Sequence, residues 1–444
     1  MPNARRRRSG ASEGHGAVTP GPSMAPPAGM RDLLPPVSMT RTLLWQSLME
    51  SFYLYGYQRV TTPPFEYANV IERGLDSADG RNLVRFVEPE SGEVVLLRPD
   101  ITPQVARVIA TRLQDRPAPW RLCYEGTVVR RRRGRARRQQ QVLQCGIECV
   151  GVKGPEADVE VIEVAIKACE HVGLRDFLVE LAQVRIGAEV LEHVPPSARA
   201  AVIDALAAKD STQLETLLRD AGVVAAERNR LIVLCDFYGD RSVIEEARRR
   251  LRNAAARQAL DELDKVVERL DEAGFGDRVS IDLSDLRRQS YYTGVSVTLL
   301  AQGPGEPLGV GGRYDHLLGR YGAPAPATGF AFDVDNVLWA LNEAGVSANG
   351  SRPLRAVVAG STDGGRRAVA EALRGSGVRA AVVSLRSAQE VKQYAEAWNQ
   401  DLLVWLSAKE TRLTRLADGA SRALARGSEL DAGLLSWARA GSES

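Results

Sequence analysis

The chain of 444 residues predicts an α+β protein with more than one domain, on three observations. First, strand-like runs recur: Trp120–Arg130 and Val142–Val150 are joined by a basic loop, and Val295–Leu300 and the apolar run Ala327–Val334 are expected on one sheet. Second, the pattern from Ala188 to about Gly274 is helical throughout, with Leu260, Leu263, Val267 and Leu270 on one stripe. Third, residues 354–407 alternate strand and helix in a βαβαβ order, which argues a small α/β domain.

The totals bound the function. Apolar content of 44% and charged content of 26% are ordinary for a globular protein. A net charge of +2 gives no global pull toward nucleic acid. Five cysteines without CxxC spacing and only four histidines argue against a zinc site or a disulfide framework, so a reducing cytoplasm is expected. The start has a basic run, Arg5 to Arg8, but no apolar segment behind it, so residues 1–23 read as a disordered basic tail and not as a secretory signal. No metal and no cofactor are expected.

Order is expected from about residue 24. Leu43, Leu44, Leu48, Phe52 and Leu54 recur at roughly helical spacing, and Arg59 to Thr62 begin a strand that runs into Pro63-Pro64-Phe65-Glu66. Residues 85–98 make two short strands around a Pro-Glu-Ser-Gly-Glu turn. Then Arg98-Pro99-Asp100-Ile101-Thr102-Pro103 opens a helix. A carboxylate and a hydroxyl at a helix start read either as caps or as a clasp for an ammonium group. Further on, Trp120–Arg130 and Val142–Val150 flank a loop with arginines at 131, 132, 133, 135, 137 and 138. So many guanidiniums repel one another, and the loop suits a phosphate-bearing ligand or an acidic partner. With no aromatics interleaved, it suits single-stranded nucleic acid less. On the return strand Gln144 and Glu148 share a face, because strand side chains alternate with period two. A buried glutamate needs a partner, and an N–H donor would supply one.

Between Asp282 and Asn336 lie Tyr291-Tyr292-Thr293-Gly294, a strand, a glycine-rich turn, then Gly309, Gly311 and Gly312, which let a backbone pass close to something, and a Gly-Gly-Arg-Tyr-Asp turn carrying Arg313, Tyr314 and Asp315. These read either as a site for a small polar ligand or as a twisted hairpin with packed tyrosines.

The order Tyr-Tyr-Thr-Gly, Gly-Gly-Arg-Tyr-Asp, Gly-Phe-Ala resembles the catalytic core of histidyl-tRNA synthetases and their paralogues. Other motifs extend the likeness over residues 26–335. Pro-Ala-Gly-Met-Arg-Asp followed by helix and strand is similar to the first class II motif, and the two strands around the arginine loop to the second. The resemblance implies a class II aminoacyl-tRNA synthetase-like antiparallel sheet flanked by helices. It divides the chain into a core of 24–187 and 275–344, a helical insertion of 188–274, and a degenerate anticodon-binding-like domain at 352–444, where the likeness is faint. It also implies histidine-binding roles for Asp100, Thr102, Gln144, Glu148, Arg287, Tyr291 and Tyr292, with Glu148 reading the imidazole. Arg130 matches the arginine that grips the ATP α-phosphate. The first motif implies a dimer.

Two departures bear on ATP. The third motif's phosphate-clamping arginine is Asn336 here, and an acid of the second motif is Arg132. Losing one such cation removes transition-state stabilisation worth about 100- to 1,000-fold in rate. A histidine pocket without ATP machinery resembles the regulatory branch of this family, which assembles with the short catalytic subunit of ATP phosphoribosyltransferase in histidine biosynthesis. That branch implies no catalysis by this chain, L-histidine as effector, a hetero-oligomer, and Arg130, Arg132 and Arg313 as anion or partner contacts. The alternative is a working histidyl-tRNA synthetase. A third reading, an RNA-binding sensor, rests on the arginine loop alone.

Overall fold

The prolines at 35 and 36 end the entering segment, and α1 (Val37–Leu54) starts directly behind them. The computed structural model describes residues 25–75, 83–130, 140–251, 253–286, 291–346, 353–360, 363–385, 387–425 and 436–438. The basic tail, the arginine loop with Arg132, and Arg287 therefore lie outside the described residues.

Along α1, Leu44, Leu48, Met49 and Phe52 turn inward, and Phe52 stacks on Phe332 at 6.4 Å between ring centres. β1 (Gln58–Arg59) follows, shorter than the strand expected over 59–62. Next, β2 (Phe65–Tyr67), α2 (Ala68–Gly74), β3 (Arg85–Val87) and β4 (Val94–Leu97) build a small antiparallel sheet in the order β2-β4-β3. On one side Leu96 packs on Ile71 and Leu83. Phe65, Tyr67 and Phe86 occupy the other side and stay exposed.

After α3 (Thr102–Arg112) come β5 (Trp120–Val129) and β6 (Gln141–Val150), a long hairpin paired along its whole length. α4 (Pro155–His171) then lays Val161, Ile162, Ala165 and Cys169 into the core, and β7 (Leu178–Gln183) returns to the sheet. The helical region begins at α5 (Val184–Glu192), four residues before the expected position, because β7 runs straight into it. It continues through α6 (Pro196–Ala207), α7 (Ser211–Asp220) and α8 (Ala225–Ile232). The two-residue β8 (Tyr238–Gly239) interrupts it before α9 (Ser242–Arg250) and α10 (Ala254–Glu272). The expected stripe of Leu260, Leu263, Val267 and Leu270 is the buried face of α10.

β9 (Val279–Asp282), β10 (Val295–Leu300), β11 (Gly309–Arg313) and β12 (Ala327–Asp333) complete a nine-stranded sheet, and α11 (Val334–Glu343) closes the region. The strand order is β1-β5-β6-β12-β11-β10-β7-β9-β8. From β5 to β7 every pairing is antiparallel, while β1 and β9 join in parallel. The start of the Gly-Gly-Arg-Tyr-Asp turn expected at 311–315 is in fact the end of β11, in the middle of the sheet. Glycine is tolerated there because Phe330 lies across it; a Cβ would come within 2.5 Å of that ring at Gly309 and 2.8 Å at Gly311.

The last region has β13 (Arg355–Gly360), α12 (Asp363–Gly375), β14 (Arg379–Val382), α13 (Ala388–Ala397) and β15 (Leu402–Leu406), in the expected βαβαβ order. Two strands that the sequence reading lacks, β16 (Glu410–Arg415) and β17 (Ser421–Ala425), extend the sheet antiparallel beyond β15. Among the described residues no helix is long and apolar enough to cross a membrane.

Candidate functional site

The segment between β4 and α3 is fixed by Arg98, which donates from Nε to the Thr127 carbonyl at 2.9 Å and from Nη1 to the Thr62 carbonyl at 2.9 Å. That anchor holds Asp100 and Thr102 beneath the β5–β6 hairpin, where both are buried. β6 presents Gln144 and Glu148 to them from one face. Gln144 donates from Nε2 to Asp100 Oδ1 at 3.0 Å, and its Oε1 accepts the Ile101 N–H at 3.2 Å. Thr102 Oγ1 donates to Glu148 Oε1 at 2.6 Å. From the segment before β10, Tyr291 donates to Asp100 Oδ2 at 2.8 Å. Tyr292 stacks edge-on against Tyr291 at 5.2 Å.

Six of the expected histidine-binding residues therefore form one buried cluster, and the seventh, Arg287, lies outside the described residues. Two further members are absent from the expected histidine-binding set. Tyr124 on β5 donates to Glu148 Oε1 at 3.1 Å, and Tyr314, just after β11, donates to Glu148 Oε2. The signal for Tyr124 is period-two alternation, which places it on the same sheet face as Glu148.

The electrostatics centre on Glu148, which is 1% exposed. Burial pushes its carboxyl up to about 8, against the lowering pull of hydrogen bonds from Thr102, Tyr314 and Tyr124, and the Asp100 carboxylate adds to the rise. Burial likewise holds the Tyr124, Tyr291 and Tyr314 hydroxyls well above the usual phenol range, so all three are donors at neutral pH. Arg130 faces the cluster: Nη2 lies 3.7 Å from Asp100 Oδ1, and Nε donates to the Pro99 carbonyl at 2.6 Å. Among the described residues Asp100 thus has one guanidinium beside it, while Glu148 is met by three hydroxyls. Such a cluster suits a small ligand carrying an ammonium group and a second N–H donor.

Arg313, expected as an anion or partner contact, points elsewhere. Nε donates to Asp158 Oδ2 at 2.9 Å, Nη1 to Asp315 at 3.1 Å, and Nη2 to the Gly154 carbonyl at 2.7 Å. Its side chain is 9% exposed, so the guanidinium braces the start of α4 from inside. Asn336, 1% exposed, is also occupied: Nδ2 donates to the Pro307 carbonyl at 2.8 Å, and its backbone N–H caps onto Asp333 at 3.2 Å. Beside it Asp335 is paired with both Arg31 at 2.9 Å and Arg41 at 2.8 Å.

A six-strand antiparallel stretch whose β6 brings Gln144 and Glu148 to Asp100, Thr102 and the tyrosine pair defines a class II aminoacyl-tRNA synthetase-like domain of the histidyl type. Residues 29–337 match the family described as histidyl-tRNA synthetase. The chain belongs to the ATP phosphoribosyltransferase regulatory subunits, the paralogous branch of that family. It is 35% identical over 405 residues to such a subunit from Syntrophotalea carbinolica, covering 90% of this chain and 94% of the relative. To another, from an Anaeromyxobacter species, it is 41% identical over 331 residues, 74% of this chain and 96% of the relative. Among solved structures, one from Bacillus halodurans, described as an ATP phosphoribosyltransferase regulatory subunit/histidyl-tRNA synthetase, superposes with a TM-score of 0.73 at 28% identity, covering 87% of this chain and 99% of that one. The histidyl-tRNA synthetase of Nostoc shares the fold, with a TM-score of 0.75 at 20% identity over 95% of this chain and 100% of that one.

Proposed function

We propose that this chain is a non-catalytic regulatory subunit of ATP phosphoribosyltransferase in the cytoplasm. In this reading it is needed for activity and for histidine feedback control of the first step of L-histidine biosynthesis. The observation that carries the reading is the combination of an intact carboxylate cluster with a neutral, backbone-bonded Asn336. L-Histidine enters that cluster, with its ammonium on Asp100 and Thr102, its imidazole on Glu148, and its carboxylate end on Gln144 and Arg287. Feedback requires that histidine bind the low-activity assembly more tightly than the active one.

The core of 24–187 and 275–344 carries this site, the insertion of 188–274 and the domain of 352–444 are appended to it, and the partner is a short-form catalytic subunit. The chain self-associates as a dimer within that hetero-oligomer. Ten of the fifteen large apolar side chains left exposed among the described residues fall between Leu34 and Val94, which supports an interface on α1 and the small sheet. Arg130, beside Asp100, and Arg132 are anion or partner contacts.

The test is to co-purify the two proteins and assay phosphoribosyl transfer to ATP with and without histidine. Equal activity and equal histidine sensitivity of the catalytic subunit alone would overturn the reading. The retained cluster also favours a second reading, a working histidyl-tRNA synthetase. Histidine-dependent pyrophosphate exchange by this chain would establish that instead.

A further inference from the structure

Tyr124 and Glu148 stand on paired strands, β5 and β6, and the residue directly opposite Tyr124 is Gly146. The phenol ring lies across the β6 backbone at that point. A Cβ on residue 146 would come within 2.6 Å of Tyr124 Oη and 2.7 Å of Cζ. The missing side chain is what lets the hydroxyl reach Glu148 Oε1, two residues along the strand.

We propose that Tyr124 is a positioning residue: seated over Gly146, its hydroxyl holds the Glu148 carboxylate in one orientation, with Oε1 turned to Thr102 and Oε2 left to Tyr314 and to an incoming ligand. The other donors to Glu148 stand on segments outside the hairpin. Thr102 stands at the start of α3 beside Asp100, and Tyr314 belongs to the segment behind β11, in contact with Tyr291 at 5.6 Å between ring centres. Tyr124 alone approaches from within the hairpin. The groups facing Glu148 are then Asp100 and Thr102 from the β4–α3 segment, Tyr124 from β5, Tyr291 from before β10, and Tyr314 from behind β11, with Gly329 of β12 opposite it in register. Arg130 reaches Asp100 and not Glu148.

The phenol donates to Glu148, so Tyr124 pulls the carboxyl's proton affinity down against the larger rise that burial causes. Removing that donor raises the carboxyl's proton affinity by about one pH unit, the size expected of one hydrogen bond to a charged group. The inference rests on the histidine reading for its purpose but not for its test. The experiment follows the carboxyl ¹³C shift of Glu148 through pH in the full chain labelled at glutamate, with the resonance identified by its loss in Glu148→Gln. In Tyr124→Phe the midpoint moves upward by about one pH unit. Circular dichroism checks that the variant folds. An unchanged midpoint in folded Tyr124→Phe overturns the inference. Calorimetry with L-histidine on the wild type is a separate arm: its failure would remove the effector reading and leave the positioning result standing.

Discussion

Replacing Glu148 by glutamine isolates the energetic consequence of a buried carboxyl. In the native fold this group titrates at about 8, whereas its ordinary value is 4.5. The folded state therefore holds a proton that the unfolded chain has released between those values, and stability falls as pH rises through that window. Each pH unit of displacement is worth about 1.4 kcal/mol, so the full effect is about 3–5 kcal/mol, absent below pH 4.5 and complete above pH 8. No discount for solvent screening applies, because the side chain is enclosed on every side. Asp158, which burial pushes up to about 6 against the pull of Arg313, adds a slope of the same sign at lower pH. That contribution is common to wild type and Glu148→Gln, so it cancels in the difference. The measurement is urea unfolding at pH 5, 6, 7, 8 and 9 for both proteins. The wild type loses stability relative to the variant across pH 5 to 8, and the difference levels off above. Parallel pH profiles for the two proteins would mean that Glu148 ionises as it would in water, and the reasoning would fail.

Other perturbations test separate parts of the molecule. Arg313→Met strands Asp158 without a cation and lowers stability by about 3–5 kcal/mol, less at pH 5 than at pH 8, as thermal unfolding at the two pH values will show. Asp100→Asn removes an anionic partner for the ligand's ammonium and weakens L-histidine binding about 10- to 150-fold by calorimetry, corresponding to about 1.5–3 kcal/mol. Phe65→Asp places a charge in the exposed aromatic patch, where Phe65 meets Phe86 edge-on at 5.5 Å, and converts the dimer to monomer in sedimentation without loss of helix signal. The purified chain shows no histidine-dependent pyrophosphate exchange above background, since Asn336 offers no charge to a triphosphate.

Much of this molecule was readable from local rules. Gln144 and Glu148 share a face because a strand alternates, and Asp100 with Thr102 is a three-residue motif beside a proline that begins a helix. The residues that were missed depend on distant partners. Tyr124 sits in an apolar strand and reads as core, since nothing local says that a glycine on the next strand opens a path to Glu148. Arg313 follows two glycines and reads as a ligand grip, yet the carboxylate that takes it is 155 residues upstream. β16 escaped because Glu410–Arg415 alternates threonine, arginine and a lone leucine, a pattern too polar to read as a strand until β15 provides the edge that it pairs with.

The hydrogen bond between Tyr291 and Asp100 joins residues 191 positions apart, and all of the helices α5 to α10 lie between them. Loop-closure entropy grows only logarithmically with such a separation, so a long helical excursion weakens the closed cluster little. Folding rate responds differently, because non-local contacts form only after the intervening chain has found its place. The cluster is thus among the last features to form, and a ligand that needs both halves of it cannot bind a partly folded chain. Such a ligand stabilises the native state by RT ln(1 + [L]/Kd) and slows unfolding, while the rate of folding stays as it was.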